Sequence, residues 1–287
     1  MLPNILIGCI GQGFIGKNLA NDFENRGYSI VRYSKEPEYE MNREQIAKCD
    51  IVFIAVPTPT TPQGFNFDIL KEVIALVGVG KSAVIKSTIM PGVCEELQVL
   101  YKDRFIFHSP EFLTEVNAAF DTAHPTRNIV GCPIDNEEYK KRAQQILAIL
   151  PEAPVNLICR AKEAELIKYG SNCFLFLKVV YMNVLYDLAQ KEDCDWEKIK
   201  IGLKADSRLG SSHFDPIHAS GIDGKPGRGA GGHCFIKDSV ALLEYMKKIG
   251  SDVEGIAFLE ATINKNIKLL KDSGKDLDLL EAIFGKV

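Results

Sequence analysis

Residues 4–16 read NILIGCIGQGFIG, and how they are read decides the fold. Residues 4–10 are a short apolar run suited to a buried strand. Gly11-Gln12-Gly13-Phe14-Ile15-Gly16 follows at once, and a helical pattern continues to about Arg26. In such a strand–turn–helix the first glycine permits the tight turn. The second lets a phosphate approach the backbone, and the third lets helix and strand pack closely. The helix start adds N–H groups and partial positive charge. The spacing therefore predicts a dinucleotide site at Gly11, Gly13, Phe14, Ile15 and Gly16. A purely structural glycine turn is the alternative.

Outward from this unit, strands are expected at 28–33, 50–56, 82–88, 105–110, 127–132 and 154–159. Helices are expected at 42–48, 68–78, after Pro91-Gly92, and at 135–149. Buried strands alternating with helices predict an α/β fold with a parallel, doubly wound, Rossmann-like sheet. Past residue 160 the pattern changes. One long helix is expected over 161–191, and more over 195–204, 237–249 and 255–271, around a polar loop at 206–232. The expected division is a cofactor domain over 1–160 and a mostly helical domain over 161–287.

With 46% hydrophobic and 25% charged residues, the 287-residue chain is not disordered, collagen-like or coiled-coil. A net charge of −4 gives no basic field for nucleic acid or an anionic membrane, so neither partner is expected. An anionic small molecule would have to be met by local cations and backbone N–H groups. The N-terminus lacks a signal-peptide pattern, and no apolar run approaches the ~20 residues of a membrane helix. The eight cysteines contain no C-x-x-C pair, and no metal site is expected. Reduced thiols and a cytoplasmic location are the expectation.

About 20 residues after the glycines, an NAD site usually places Asp or Glu for the ribose 2′-hydroxyl. Here the second strand ends Arg32-Tyr33-Ser34-Lys35. Ser34 can bond a ribose hydroxyl, and Arg32 and Lys35 can meet a 2′-phosphate or be solvated cations. NAD is the first expectation and NADP the alternative.

Ligands of open α/β sheets gather at the carboxyl ends of strands. Three segments close strands there: Val56-Pro57-Thr58-Pro59-Thr60-Thr61-Pro62, Lys86-Ser87-Thr88-Ile89-Met90-Pro91-Gly92, and Ser109-Pro110-Glu111-Phe112-Leu113-Thr114-Glu115. A helical turn in the third would put Glu111 and Glu115 on one face. A fourth segment, Gly229-Ala230-Gly231-Gly232-His233-Cys234-Phe235-Ile236-Lys237-Asp238, puts a cysteine near a helix start. That environment favours a thiolate nucleophile, with a buried inert cysteine as the alternative. Lys168 and Asn172 are four apart on the long helix, where a solvated pair is the plain reading.

Together these segments resemble the UDP-glucose/GDP-mannose dehydrogenase family. The shared patterns, in family order, are G-x-G-x-x-G, V-P-T-P, K-S-T with P-G, S-P-E-F-L-x-E, A-E-L-x-K-Y-x-x-N, R-x-G and G-G-x-C-x-x-K-D. They run from residue 4 to about 270.

The resemblance implies a two-step, four-electron oxidation of a nucleotide-sugar C6 alcohol to a carboxylate, consuming two NAD. It implies Cys234 as nucleophile through a thiohemiacetal and a thioester. Lys168 and Asn172 would stabilise the oxyanion, and Asp238 with Thr88 would order a water. Glu115 would be the acid/base for hydrolysis. Val56, Pro57, Thr58, Thr88 and Lys237 would line the cofactor. Glu111, Phe112, Leu113 and Gly231 would contact the sugar nucleotide. Arg208 would reach across a homodimer built on the helix 161–191. Two other readings are a single-step β-hydroxyacid-type dehydrogenase and a binding relative without activity.

Three features depart from the pattern. Few residues follow the last predicted helix, so the family's third, nucleotide-holding domain is expected to be absent. The loop from Arg208 to Cys234 is longer than usual and includes His213, His218 and residues 221–225. Lys225 and Arg228 in it can meet a pyrophosphate, with a loose surface loop as the alternative. Ala230 and Ile236 replace the usual Phe and Pro beside the cysteine.

Overall fold

The computed structural model describes residues 5–61, 64–220 and 224–285. Asn4, Pro62 and residues 221–223, all included in the expectations above, lie outside them. The chain forms two compact units, Met1–Pro59 with Asn66–Lys168, and Thr60–Phe65 with Tyr169–Val287.

In the first unit all seven expected strands form: β1 (Leu6–Ile10), β2 (Ser29–Tyr33), β3 (Ile51–Ile54), β4 (Ser82–Ile85), β5 (Phe105–His108), β6 (Arg127–Cys132) and β7 (Val155–Arg160). Their order is β2-β1-β3-β4-β5-β6-β7. The chain leaves β1 to one side and returns through β3 on the other. This places the switch-point crevice at the carboxyl ends of β1 and β3.

The sheet is not wholly parallel. β6 runs antiparallel to β5, meeting it at His108–Gly131, and β7 is parallel to β6. The physical reason is that the β5–β6 connection, residues 109–126, folds on itself at the carboxyl end of β5. Asp121, in the helix Ala118–Ala123, takes the N–H and hydroxyl of Thr114, and the chain re-enters the sheet from that end.

Helix α1 (Phe14–Asn25) turns Leu19, Ala20 and Phe23 inward at helical spacing. They join Ile7, Phe53, Val84, Phe107 and Val130 of the sheet, and Tyr139, Ala143 and Ile146 of the helix Glu137–Ile149, in one core. The strands are shorter than their apolar runs. β3 ends at Ile54, β4 at Ile85 and β5 at His108, so the segments after them leave the sheet at the crevice. The expected helix 42–48 is a 3-10 segment, Arg43–Lys48.

Glu165, fully buried on the long helix α2 (Ala161–Lys191), fixes the turn after β4. Its carboxylate accepts the N–H of Gly92 at 2.6 Å and of Cys94 at 3.0 Å, at the start of helix Val93–Leu100. Burial pushes the Glu165 carboxyl up from 4.5 to about 7, against those two N–H bonds. Between these values the folded protein holds a proton that the unfolded chain releases. Stability is therefore highest below 4.5 and falls as pH rises through about 7, by about 3 kcal/mol from this residue. Urea midpoints at pH 5 and pH 8 measure it. Glu165→Gln is expected to flatten that fall.

The unit division falls within α2, after Lys168. The second unit holds the rest of α2, then α3 (Trp196–Lys204), α4 (Gly232–Lys248), α5 (Val253–Ser273) and α6 (Leu277–Phe284). Phe176, Val179 and Val180 of α2 pack with Val240, Leu243, Leu259 and Ile263. Contrary to the expectation of no membrane-length run, α2 is long enough to cross a bilayer, with a mean hydropathy of 1.3 over its most apolar window. Its packing face serves this core instead.

α4 starts at Gly232, five residues before the expected boundary. Glycines are poor helix formers, and what starts this helix lies far away in sequence. The expected loop 206–232 contains a 3-10 turn, Ser207–Leu209, and an antiparallel ribbon of Ile217–His218 with Gly227–Arg228.

Candidate active site

The glycine turn divides its labour as the spacing predicts. Gly11 has φ 86°, and a Cβ there would stand 2.1 Å from the Ala55 carbonyl oxygen. A Cβ on Gly16 would stand 1.9 Å from the Gly11 carbonyl oxygen. These two are packing glycines. Gly13 is different: nothing lies within 4 Å of a Cβ built on it, and it caps α1 with no side-chain bond. An open backbone position at a helix start fits a pyrophosphate, and Phe14 and Ile15 form the first turn above it.

Gly13 has φ −74°, which alanine adopts freely. Gly13→Ala is therefore expected to leave unfolding free energy within about 0.5 kcal/mol of wild type. The same methyl is expected to weaken binding of a nicotinamide dinucleotide at least about tenfold, because its pyrophosphate needs that space. A thermal melt paired with a fluorescence titration checks both halves.

At the end of β2, Arg32 is neither solvated nor loose but paired within the fold. Its guanidinium is held by Glu24 at 2.7 and 3.0 Å, Asn21 at 2.7 Å and Gln12 at 3.1 Å. It faces α1 and the Glu24 carboxylate there. Ser34 accepts the Glu36 N–H at 3.3 Å, and Lys35 is exposed.

The segments after β3 and β4 are stitched together. Val56 N–H donates to Ser87 Oγ at 3.0 Å, Ser87 Oγ donates to the Val56 carbonyl at 2.7 Å, and Thr58 Oγ1 donates to the Thr88 carbonyl at 2.7 Å. Val56, Pro57, Thr58 and Thr88 thus form one rigid wall at the crevice.

Next to this wall is a buried charge cluster. Lys168 Nζ donates to the Glu111 carbonyl at 2.7 Å and pairs with its carboxylate at 3.0 Å. The two side chains are 5% and 10% exposed. Lys86 Nζ lies 3.3 Å from Ser109 Oγ and from the Pro110 carbonyl, and burial pulls its ammonium down to about 8. His108 is fully buried. Desolvation first, and Lys86 second, push it down to about 3, so it is neutral at physiological pH. A cavity of about 270 Å³ adjoins the cluster, lined by Lys86, Glu111, Phe112, Leu113 and Arg127 among others. Arg127 stacks 3.7 Å over the Phe112 ring.

Glu111 and Glu115 do not share a helical face. Residues 111–114 are not helical, because Glu111 Oε2 accepts Leu113 N–H at 2.7 Å, and Asp121 takes the N–H and hydroxyl of Thr114. Glu115 is exposed.

In the second unit, Cys234 is exposed in the first turn of α4. One turn on, Asp238 is buried. It accepts from Asn172 Nδ2 at 2.6 Å and pairs with Lys237 at 3.0 Å. Gly231 is the N-cap of α4. Arg208 is 86% exposed and pairs with Asp206 at 2.6 Å. Arg228 does not reach toward a pyrophosphate. It is fixed on α2 by Asn183 at 2.9 and 3.0 Å and by Asp187 at 2.6 Å. Lys225 is exposed.

Two domains of one family match this chain: the UDP-glucose/GDP-mannose dehydrogenase NAD binding domain over residues 32–150, and the central domain over residues 162–268. The chain belongs to the UDP-glucose/GDP-mannose dehydrogenase family. It is 29% identical to a UDP-glucose 6-dehydrogenase of Rickettsia typhi, over 91% of this chain and 64% of that protein. It therefore spans less than two thirds of that relative. A UDP-glucose dehydrogenase structure from Pyrobaculum islandicum superposes with a TM-score of 0.77 at 25% identity, covering 92% of this chain and 68% of that one. A 3-hydroxyisobutyrate dehydrogenase of Mycobacterium tuberculosis covers 97% of this chain and 98% of its own, with a TM-score of 0.70 at 15% identity. That likeness is one of fold alone. A nicotinamide dinucleotide is the cofactor class of the matched domain.

The two departures beside the cysteine have a simple account. Ala230 and Ile236 are both buried, Ala230 in the α2–α4–α5 core and Ile236 against Leu270 and Leu280. Lys86, His108 and Glu165 were given no role by the sequence reading. The signal available was a charged or titratable residue set in or beside an apolar run.

Proposed function

We propose that this chain oxidises the C6 alcohol of a nucleotide sugar to a carboxylate, with UDP-glucose to UDP-glucuronate as the first candidate. The observation that carries the proposal is Cys234. It is exposed in the first turn of α4, while Asp238, one turn on, is buried and fixed by Asn172 and Lys237. A helix start favours the thiolate, and a fixed framework around an accessible sulfur suits a nucleophile.

NAD, held at Gly11–Gly16, Ser34, Lys35 and the Val56–Thr58 wall, supplies the hydride acceptor for each oxidation. In the first, the hydroxyl gives its proton to an ordered water while a hydride leaves the C6 carbon. Lys168 and Asn172 stabilise the developing oxyanion. Cys234 Sγ then adds to the aldehyde carbon to give a thiohemiacetal. The second hydride leaves that carbon, giving a thioester. Water attacks it, the C–S bond breaks, and the carboxylate and thiol are released. Thr88 and Asp238 orient the water and Glu115 is its acid/base. Glu111 holds Lys168 and, with Phe112, Leu113 and Gly231, contacts the sugar nucleotide.

The active form is a homodimer with Arg208 reaching the partner's substrate. An exposed stripe of Phe174, Tyr181, Val184 and Leu188 on α2 supports this. A cytoplasmic location accords with eight cysteines that form no disulfide among the described residues.

The test is NADH formation from purified protein with UDP-glucose, UDP-N-acetylhexosamines and GDP-mannose, each with NAD and with NADP. Two equivalents of reduced cofactor per sugar are expected. One equivalent would support single-step alcohol oxidation, and none with any sugar would support a binding role.

A further inference from the structure

Four side chains from α5 and the turn after it hold the backbone that leads into Cys234. Asn266 brackets Ala230, accepting its N–H at 2.7 Å and donating to its carbonyl at 2.9 Å. Ser273 Oγ accepts the Arg228 N–H at 3.1 Å. Lys275, only 1% exposed, donates to the carbonyls of Gly229 at 3.1 Å and His218 at 2.9 Å. Asp276 Oδ2 accepts the Gly232 N–H at 2.8 Å.

Asp276 is in an unusual position. It is the N-cap of α6, where an aspartate normally accepts an N–H of its own helix. It makes no such bond, and its φ of 52° lies in the left-handed region, tolerated by Asp at some cost. Its carboxylate points instead to the start of α4, 44 residues away in sequence. The N-cap of α4 is Gly231, which has no side chain to offer. A Cβ on Gly231 would stand 2.0 Å from Asp276 Oδ2 and 2.3 Å from Ser220 Oγ. Glycine is required there because a carboxylate from another element occupies the capping position.

We propose that Asp276 is a positioning residue for Cys234: its carboxylate caps α4 from outside and offsets the positive helix end on which the thiol sits. Its meaning for catalysis rests on Cys234 being the nucleophile, whereas its effect on the thiol does not. Anions at a helix start interact with the first turn, so a fixed carboxylate there opposes a thiolate two residues on. Among the described residues, the other charged or titratable groups around this turn include His233 and the Lys237–Asp238 pair on α4, His213 beside Phe235, His218, and Lys275. Burial lowers both His213 and His218, and pulls Lys275 down to about 8. None of these residues is altered in the test.

The test is alkylation of wild type and Asp276→Asn by iodoacetamide from pH 6 to 9, followed peptide by peptide. Cys194, the other exposed thiol among the described residues, is the internal reference. Asparagine keeps an acceptor for Gly232 N–H and removes the charge. The Cys234 profile is expected to move to lower pH, with the rate at pH 7 rising about two- to fivefold while Cys194 is unchanged. Asp276→Ala removes the acceptor as well, and amide exchange at Gly232–Cys234 is expected to accelerate at least about tenfold. Coincident Cys234 profiles for wild type and Asp276→Asn would overturn the proposal, as would a Cys194 rate that changes by the same factor. Full acid formation by Cys234→Ser would sink the nucleophile reading and leave the alkylation result standing on its own.

Discussion

Cys234→Ser is expected to lower acid formation on the order of a thousandfold or more. The reasoning starts from the second oxidation. An aldehyde at C6 has no leaving hydride of suitable character until a nucleophile adds to it. In this chain the proposed nucleophile is the thiol at the start of α4. A serine hydroxyl fits the same space but is hardly ionised near neutrality, and it adds more slowly. The reduced cofactor formed per sugar is expected to fall from two equivalents toward one. Single-turnover absorbance at the nicotinamide band separates the two oxidations. Two equivalents at the wild-type rate would remove the thioester route.

What was legible locally about that cysteine is its setting near a helix start, whereas its proposed role comes from the resemblance. The glycines, Cys234 and Asp238 lie within one short stretch, and helical spacing alone brings Asp238 one turn from Cys234. The glycine turn at 11–16 was legible for the same reason. A strand, a turn and a helix start are all local, and the structure assigns Gly11 and Gly16 to packing and leaves Gly13 open. The direction of β6 was not legible. It depends on how the connection 109–126 folds on itself through Asp121 and Thr114, not on the strand's own composition. The pairing of Arg32 was not legible because its partner Glu24 lies on a different element, and a basic side chain at the end of β2 carries no mark of being already paired.

The start of α4 is the clearest case of information held elsewhere. Gly231-Gly232 reads as loop because neither residue favours a helix, and the group that satisfies the first N–H is Asp276. The pair Glu111 and Glu115 erred in the same way. Spacing allowed a shared helical face, but Asp121 captures Thr114, and Glu111 bonds the Leu113 N–H and Lys168. Where the deciding contact is within about one helical turn, pattern suffices. Where it crosses between elements, the fold must be known first.

Lys168→Met tests the most buried of these cross-element contacts. The ammonium holds the Glu111 carbonyl and carboxylate at 2.7 and 3.0 Å, and neither side chain has much access to water. Removing one partner leaves the other charge buried and unpaired, which costs about 3–5 kcal/mol where burial is complete. Urea unfolding should register a loss approaching that size.

Activity should fall separately, by about 10²–10³ in kcat, because the same ammonium is the proposed stabiliser of the alkoxide. The two effects can be told apart with Glu111→Gln in the Lys168→Met background. Neutralising the orphaned carboxylate is expected to restore most of the lost stability, since a buried pair replaced on both sides is close to neutral. It is expected to restore none of the rate, because no cation is returned to the site. Affinity for the nicotinamide dinucleotide, whose proposed site is the turn at Gly11–Gly16, should stay within about twofold throughout. Recovery of rate along with stability in the double variant would show that Lys168 acts only by holding the fold around Glu111, and the oxyanion role would then pass to Asn172 alone.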